Sequence, residues 1–333
     1  MSFLVNYGLF FAKTLTIVIA IVIILAAIFA IKAKAKQAQQ ESLCIKKLNE
    51  KYDNMTDEIN DAIQTKQEKK SFKKIQKKES KEKKLIEKNN INNRIFIVRF
   101  YGDMKAAAVD SLRESITAIL LTAKQNDRVL ICLESGGGMV HAYGLAASQL
   151  QRIRDAKIPL IVSIDKIAAS GGYMMACVAN EIIAAPFAIV GSIGVIAQLP
   201  NLHRFLKKKD IEFEQLTAGE YKRTLTVFGE NTDAGRKKMQ SEIDETHELF
   251  KTFVKTHRAQ VDIDQIATGE HWFATQCIEK KLVDKLQTSD DYLLSNKDTH
   301  ALYEIEYKLK KPFAKRVSGF VQNTLHQLTH ENI

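Results

Sequence analysis

The chain has 333 residues, 45% of them hydrophobic and 26% charged, which is enough for one sizeable core with appendages. Its net charge of +10 would alone suggest a nucleic-acid or anionic-membrane partner, but seventeen lysines against ten acidic residues fall between Lys32 and Lys88. The remainder is close to neutral and carries no zinc-finger, RNA-recognition or aromatic-interleaved basic motif, so most of the case for nucleic acid falls away.

The first element in chain order is an uncharged run of eighteen residues, Thr14 to Ile31, dominated by Ile, Ala, Val and Leu. At about 1.5 Å per residue it covers about 27 Å, close to the thickness of a bilayer's hydrocarbon core. A cleaved signal peptide would have a basic leading region and a shorter apolar core. Here the positive charge follows the apolar run, at Lys32, Lys34 and Lys36. The expectation is a retained single-pass anchor over residues 1–31, with the positive-inside rule favouring a cytoplasmic C-terminal side. Residues 32–90 are rich in Lys, Glu, Gln and Asn with sparse apolar positions such as Leu43, Leu48, Ile59 and Ile63. They read as an exposed helical or partly disordered stalk, with a basic face able to meet anionic lipid or simply solvent.

From residue 91 to about 300 the pattern is that of a globular domain. RIFIVRF (94–100), VLICLES (129–135) and IPLIVSI (158–164) read as strands, and residues 109–125 and 140–155 carry apolar positions at helical spacing. Alternating strands and helices predict a mostly parallel α/β sheet with right-handed crossovers. Such sheets carry their chemistry in loops beyond the carboxyl ends of the strands. Two glycine-rich loops stand there: Ser135-Gly136-Gly137-Gly138, and the run Ala169-Ser170-Gly171-Gly172 that leads into the helical stretch YMMACVA. The first is either a tight strand-to-helix turn or a set of backbone donors for a negative charge. In the second, Ser170 is either a helix cap or a nucleophile. No histidine stands at a spacing that marks it as the base, and neither a G-x-S-x-G elbow nor an H-E-x-x-H metal site is present. A lysine made neutral by burial could serve, but spacing alone does not select one. Cys44, Cys132, Cys177 and Cys277 are widely separated and read as free thiols, three of them within apolar runs. The helical stretch from Asp233 to Arg258 fits either a subunit contact or packing on the sheet, and the tail from 301 to 333 suggests no function.

The runs AASGGYMMACVAN (168–180), APFAIVGSIGV (185–195) and TAGEYKRTLT (217–226) resemble the signal peptide peptidase A family of serine peptidases. The likeness extends through residues 140–155 and 267–284 and includes the anchor and the lysine-rich stalk. It implies a ClpP/crotonase-like α/β fold and a Ser-Lys dyad without metal or organic cofactor. By the resemblance, Ser170 of the A-S-G-G motif is the nucleophile and Lys222 of A-G-x-Y-K the general base. Ser192 of G-S-I-G orients the lysine, and the N–H groups of Gly137, Gly138 and Gly171 form the oxyanion hole. Family members usually have Ser-Pro-Gly-Gly in the first loop, where this chain has Gly136 in place of proline. The resemblance also implies a bacterial inner-membrane location and peptide or unfolded-protein substrates, hydrophobic or membrane-associated. It further implies a ring-like homo-oligomer in which the dyad is completed across a subunit interface. Because family members often work on the outer side of the membrane, the face stays open. Two rival expectations are an acyl-CoA hydratase or isomerase on the same fold and an inert membrane scaffold that binds peptides.

Overall fold

The structure is a computed structural model that describes residues 42–63 and 93–308, with isolated positions 8, 13–16, 18 and 19 near the start. Most of the expected anchor, residues 32–41 and 64–90 of the expected stalk, and residues 309–333 of the expected tail lie outside the described residues. Among those described, no helix is long and apolar enough to cross a membrane.

One compact unit, residues 45–306, holds a mixed α/β fold around a sheet in the order β1-β10-β2-β3-β4-β6-β9, whose outer members are β1 (Ser42–Lys47), β10 (Ala301–Lys308) and the two-residue β9 (Lys285–Leu286). Its central strands are β2 (Arg94–Gly102), β3 (Arg128–Ser135), β4 (Leu160–Ile164) and β6 (Glu181–Ala184), all paired in parallel. They form because Ile95, Ile97, Val129, Leu130, Ile131, Leu160 and Ile182 bury both faces of an extended β-rich run, the pattern expected of a covered parallel sheet. Helices α2 (Val109–Leu120), α3 (Val140–Asp155), α4 (Gly171–Ala176) and α6 (Asp233–His257) lie on one face, where Phe100, Ile116, Leu133, Tyr143, Leu150, Tyr173 and Phe250 belong to the larger core. On the other face Leu48 of α1 (Leu48–Ile63) and Tyr292 and Leu293 of α9 (Ser289–Asn296) pack over Ile95, Leu130, Ile161 and Leu302.

The three sequence strands and the helix over 140–155 appear where the pattern put them. The first helix ends at Leu120 rather than 125. The carboxylate of Asp127, fully buried, takes the chain out of the helix there. It accepts from the Lys124 N–H at 2.6 Å and from Arg94 Nη2 at 2.6 Å.

Both expected limits of the domain move outward. The expected tail begins with β10 (Ala301–Lys308), which pairs in parallel with β2 from Ala301↔Arg94 to Glu304↔Ile97 and buries Leu302 and Ile305. At the other end, residues expected in the stalk form β1 (Ser42–Lys47) and the start of α1, where Leu48 is buried. A polar side chain makes this anchorage: Asn49 donates to the carbonyls of Lys297 and His300 and accepts from the Leu302 N–H. Beyond that first turn α1 is exposed at Ile59 and Ile63. Hydrophobic spacing could not reveal an attachment made chiefly by an amide.

Candidate active site

Three short elements build the site at the carboxyl end of β3. Strand β5 (Ile167–Ala169) pairs with β3 through Ala168↔Ser135 and with β7 (Ile189–Gly191) through Ala169↔Gly191. The chain leaves β5, turns at Ser170 and enters α4 within one residue. Ser170 has φ 52° and ψ −119°, a backbone conformation that is rare for a side-chain-bearing residue and costs about 1–3 kcal/mol. Its N–H donates to Gly191 O at 2.8 Å, and its carbonyl accepts from Met174 N–H, so the turn is held from both sides. The serine does not cap its helix: no N–H of α4 donates to its side chain. The geometry is that of a strand–turn–helix elbow, reached without the G-x-S-x-G sequence that usually announces one.

The first glycine loop lies directly against this turn. Gly137 has φ +89°, and a Cβ there would stand 2.7 Å from Gly171 N and 2.8 Å from Ser170 Cβ. A Cβ on Gly138 would overlap the Met104 carbonyl, and one on Gly171 would overlap the Tyr143 ring. The glycines thus permit contact that no side chain could, and both donors and nucleophile crowd one spot. The N–H groups of Gly138 and Gly171 have no hydrogen-bond partner among the described residues. Gly137 differs: its N–H donates to Ser135 Oγ at 3.0 Å. That bond removes Gly137 from the expected set of oxyanion donors and leaves it as the residue that brings the loop up to Ser170.

A cavity of about 330 Å³ opens beside Ser170, walled by Met174 of α4, Val140 of α3, Val195, and Leu249, Phe250 and Phe253 of α6. Its wall is mostly apolar, with the hydroxyls of Ser148 and Thr246 as polar exceptions beside Ser170. Nothing about the spacing of Val195 or Leu249 marked them in advance, because they reach the serine only through the fold.

The remaining expected residues divide. Ser192 directly follows Gly191, whose carbonyl holds Ser170; it too has a positive φ, 52°, and its N–H donates to Glu270 O at 2.6 Å. Lys222 is exposed, and among the described residues no hydrogen bond or ion pair joins its Nζ to Ser170 or Ser192. It does not line the Ser170 cavity. Within one chain, then, the fold brings Ser170, Gly138 and Gly171 together, sets Ser192 nearby through Gly191, and leaves Lys222 apart. Among the described residues no group of three or more His, Cys, Asp or Glu could hold a metal ion. Cys132, Cys177 and Cys277 are buried free thiols; burial pushes Cys132 up to about 11 and Cys277 up to about 12.

Comparison with known proteins assigns this mostly parallel α/β framework and its loop cluster to the peptidases. The family descriptions "Peptidase family S49 N-terminal" and "Peptidase family S49" match residues 2–150 and 152–302. The chain belongs to peptidase family S49, and its likeness over nearly its whole length is to the SohB-type members. It is 49% identical over 327 residues to a probable protease SohB of Buchnera aphidicola subsp. Acyrthosiphon pisum, covering 98% of this chain and 96% of that one. It is 45% identical over 337 residues to a probable protease SohB of Haemophilus influenzae, covering 98% of this chain and 95% of that one. Among solved structures, a membrane-bound stomatin-specific protease aligns with a TM-score of 0.40 at 15% identity, over 61% of this chain and 79% of that one.

Proposed function

We propose that this S49 peptidase is a membrane-anchored serine endopeptidase that works through a Ser170–Lys222 dyad on a ClpP/crotonase-like framework. The observation that carries the reading is Ser170 itself. A serine held at φ 52° on a strand–turn–helix elbow, beside an apolar cavity and two N–H groups without a partner among the described residues, is arranged for acyl transfer.

In the proposed reaction the neutral amine of Lys222 takes the proton of Ser170 Oγ, which attacks the scissile carbonyl carbon. The carbonyl π electrons move to oxygen, and the N–H groups of Gly138 and Gly171 receive the oxyanion. Loss of one such donor commonly costs about 3–4 kcal/mol of transition-state stabilisation. The protonated lysine gives its proton to the leaving amine, and the C–N bond breaks. Water, deprotonated by the same lysine, then releases the acyl group from Ser170. The apolar walls of the cavity favour a hydrophobic substrate side chain next to the cleaved bond, in keeping with hydrophobic or membrane-associated peptides such as signal-peptide remnants.

The exposed position of Lys222 supports a dyad completed between subunits of a ring-like homo-oligomer, with Ser192 orienting the incoming lysine. The surrounding segment is suited to such a contact: Leu199, Phe205, Ile211, Phe213, Leu216 and Phe228 are all exposed, Leu216 by 96%. The proposed setting is the bacterial inner membrane, through the apolar run before Lys32.

The test is hydrolysis of unfolded protein and apolar peptides by the detergent-solubilised protein and its Ser170→Ala and Lys222→Ala variants. The reading requires wild type to cleave, both variants to be inactive while still assembled, and a fluorophosphonate to label wild type but not Ser170→Ala. Cleavage by Ser170→Ala at the wild-type rate removes the nucleophile, and full activity in Lys222→Ala removes the base.

A further inference from the structure

The two proposed oxyanion donors come from different segments, Gly138 from the loop after β3 and Gly171 from the start of α4. One buried side chain touches both. Tyr143, on the first turns of α3, is fully buried, and its ring lies so close to Gly171 that a Cβ there would overlap Tyr143 Cγ. Its hydroxyl reaches the other segment. Tyr143 Oη donates to the Asp103 carbonyl at 2.7 Å, which uses its proton, so it accepts from Ser135 Oγ at 2.6 Å. Ser135 Oγ in turn accepts from the Gly137 N–H at 3.0 Å. The result is a one-directional chain, Gly137 N–H to Ser135 to Tyr143 to Asp103 carbonyl, with every member satisfied. A second tie runs parallel to it, from Met139 N–H to Met104 O at 2.9 Å.

This chain bears on the loop's stiffness. Ser135-Gly136-Gly137-Gly138 contains three consecutive glycines, the backbone with the most freedom to lose. A loop of that composition does not hold Gly138 N–H on a fixed line by itself. We propose that Tyr143 is a positioning residue, acting through Ser135 and the Asp103 carbonyl to fix Gly138 relative to Gly171 and so set the spacing of the oxyanion donors. The inference rests on the Ser170 reading above. Tyr143 touches neither substrate nor the reacting atoms. Burial raises its phenol above its usual value, which keeps the donor protonated at working pH.

The experiment uses full-length, detergent-solubilised protein and a fluorogenic peptide with an apolar residue before the cleaved bond. Tyr143→Phe keeps the ring against Gly171 and removes only the relay. The expected result is a fall in kcat of about tenfold or more with KM within twofold, since the donors act on the transition state. Affinity for a peptidyl aldehyde, which forms a tetrahedral oxyanion on the serine, falls in step, whereas affinity for the cleaved product peptide does not. Ser135→Ala breaks the same chain from the other side, and the double variant should lose no more than either single one. An unchanged kcat in both single variants overturns the inference, as does a loss confined to KM or to thermal stability. Should Tyr143→Phe fail to fold, Ser135→Ala, which leaves the ring packing alone, decides between the same outcomes. Activity in Ser170→Ala would sink the underlying reading instead, so the two failures are distinct.

Discussion

The surroundings of Ser170 and those of Lys222 are built in opposite ways. Ser170 sits where two short strand pairings, a buried helix and two glycine contacts converge, and its neighbours Ala168, Ala169, Gly171 and Tyr173 are all buried. Lys222 sits in a segment from about 196 to 231 that has one short helix, α5 (His203–Lys208), and holds itself by local bonds such as Leu202 N–H to Val227 O and Asn201 Nδ2 to the Thr226 and Gly229 carbonyls. One half of the proposed dyad is preorganised by the core; the other is presented outward. The contrast teaches that the two residues fail differently when altered, and that a nucleophile built into the core can be completed by a surface from elsewhere.

Four outcomes would break or sharpen that contrast. The largest is chemical: Ser170→Ala and Lys222→Ala should each lower kcat by at least about 1,000-fold, measured as peptide hydrolysis. Lys222→Ala should leave thermal stability within about 0.5 kcal/mol of wild type, as for other exposed substitutions. Next, co-assembly of Ser170→Ala subunits with Lys222→Ala subunits should restore a fraction of wild-type activity, because an intact serine then meets an intact lysine. No recovery after subunit exchange would place both dyad members in one chain.

Third, Gly171→Ala should destabilise the core side by roughly 2–4 kcal/mol, seen as a lowered denaturation midpoint, since its Cβ must displace the buried Tyr143 ring. Gly219→Ala, on the lysine side, has nothing within 4 Å of the added carbon, although its φ of +95° adds some backbone strain. Its cost should be about 1 kcal/mol. Equal costs would erase the contrast between a packed and an open segment. The smallest effect concerns His300, far from either residue in sequence. Burial, with Arg128 nearby, holds its imidazole below the usual 6.5, so the unfolded chain binds the proton more readily. Its contribution to stability is complete above about pH 6.5 and is lost as pH falls through the lower folded value. Chemical denaturation of wild type and His300→Asn across pH 5–8 should show that slope shrink in the variant.

How much of this was legible beforehand depends on the kind of signal. Continuous runs such as VLICLES and IPLIVSI announce buried strands because apolar burial on both faces needs nothing else. The helix over Val140–Asp155 likewise follows from its apolar spacing. Strand β10 is hard to read from sequence: its residues alternate, with Tyr303, Ile305 and Tyr307 set against Glu304 and Glu306, but its mixed charge resembles a tail. The start of α1 carries little apolar signal because Asn49 anchors it. At the site, the glycine loops and Ser170 were visible as motifs. Their division of labour was not, since Gly137 and Gly138 are adjacent and chemically identical.

By itself, then, the order of residues determined the alternation of strands and helices, the placement of both glycine loops at strand ends and the serine that stands in the second. These are local properties: side-chain burial, turn chemistry and the freedom of glycine act within a few residues. Only the tertiary structure decided that Ser170 bends into an uncapped elbow and that Gly137 spends its N–H on Ser135. It alone joined Tyr143 to both loops and left Lys222 outside the cavity. Each of those outcomes depends on contacts between segments tens of residues apart, and such contacts exist only once the sheet has aligned the ends of its strands.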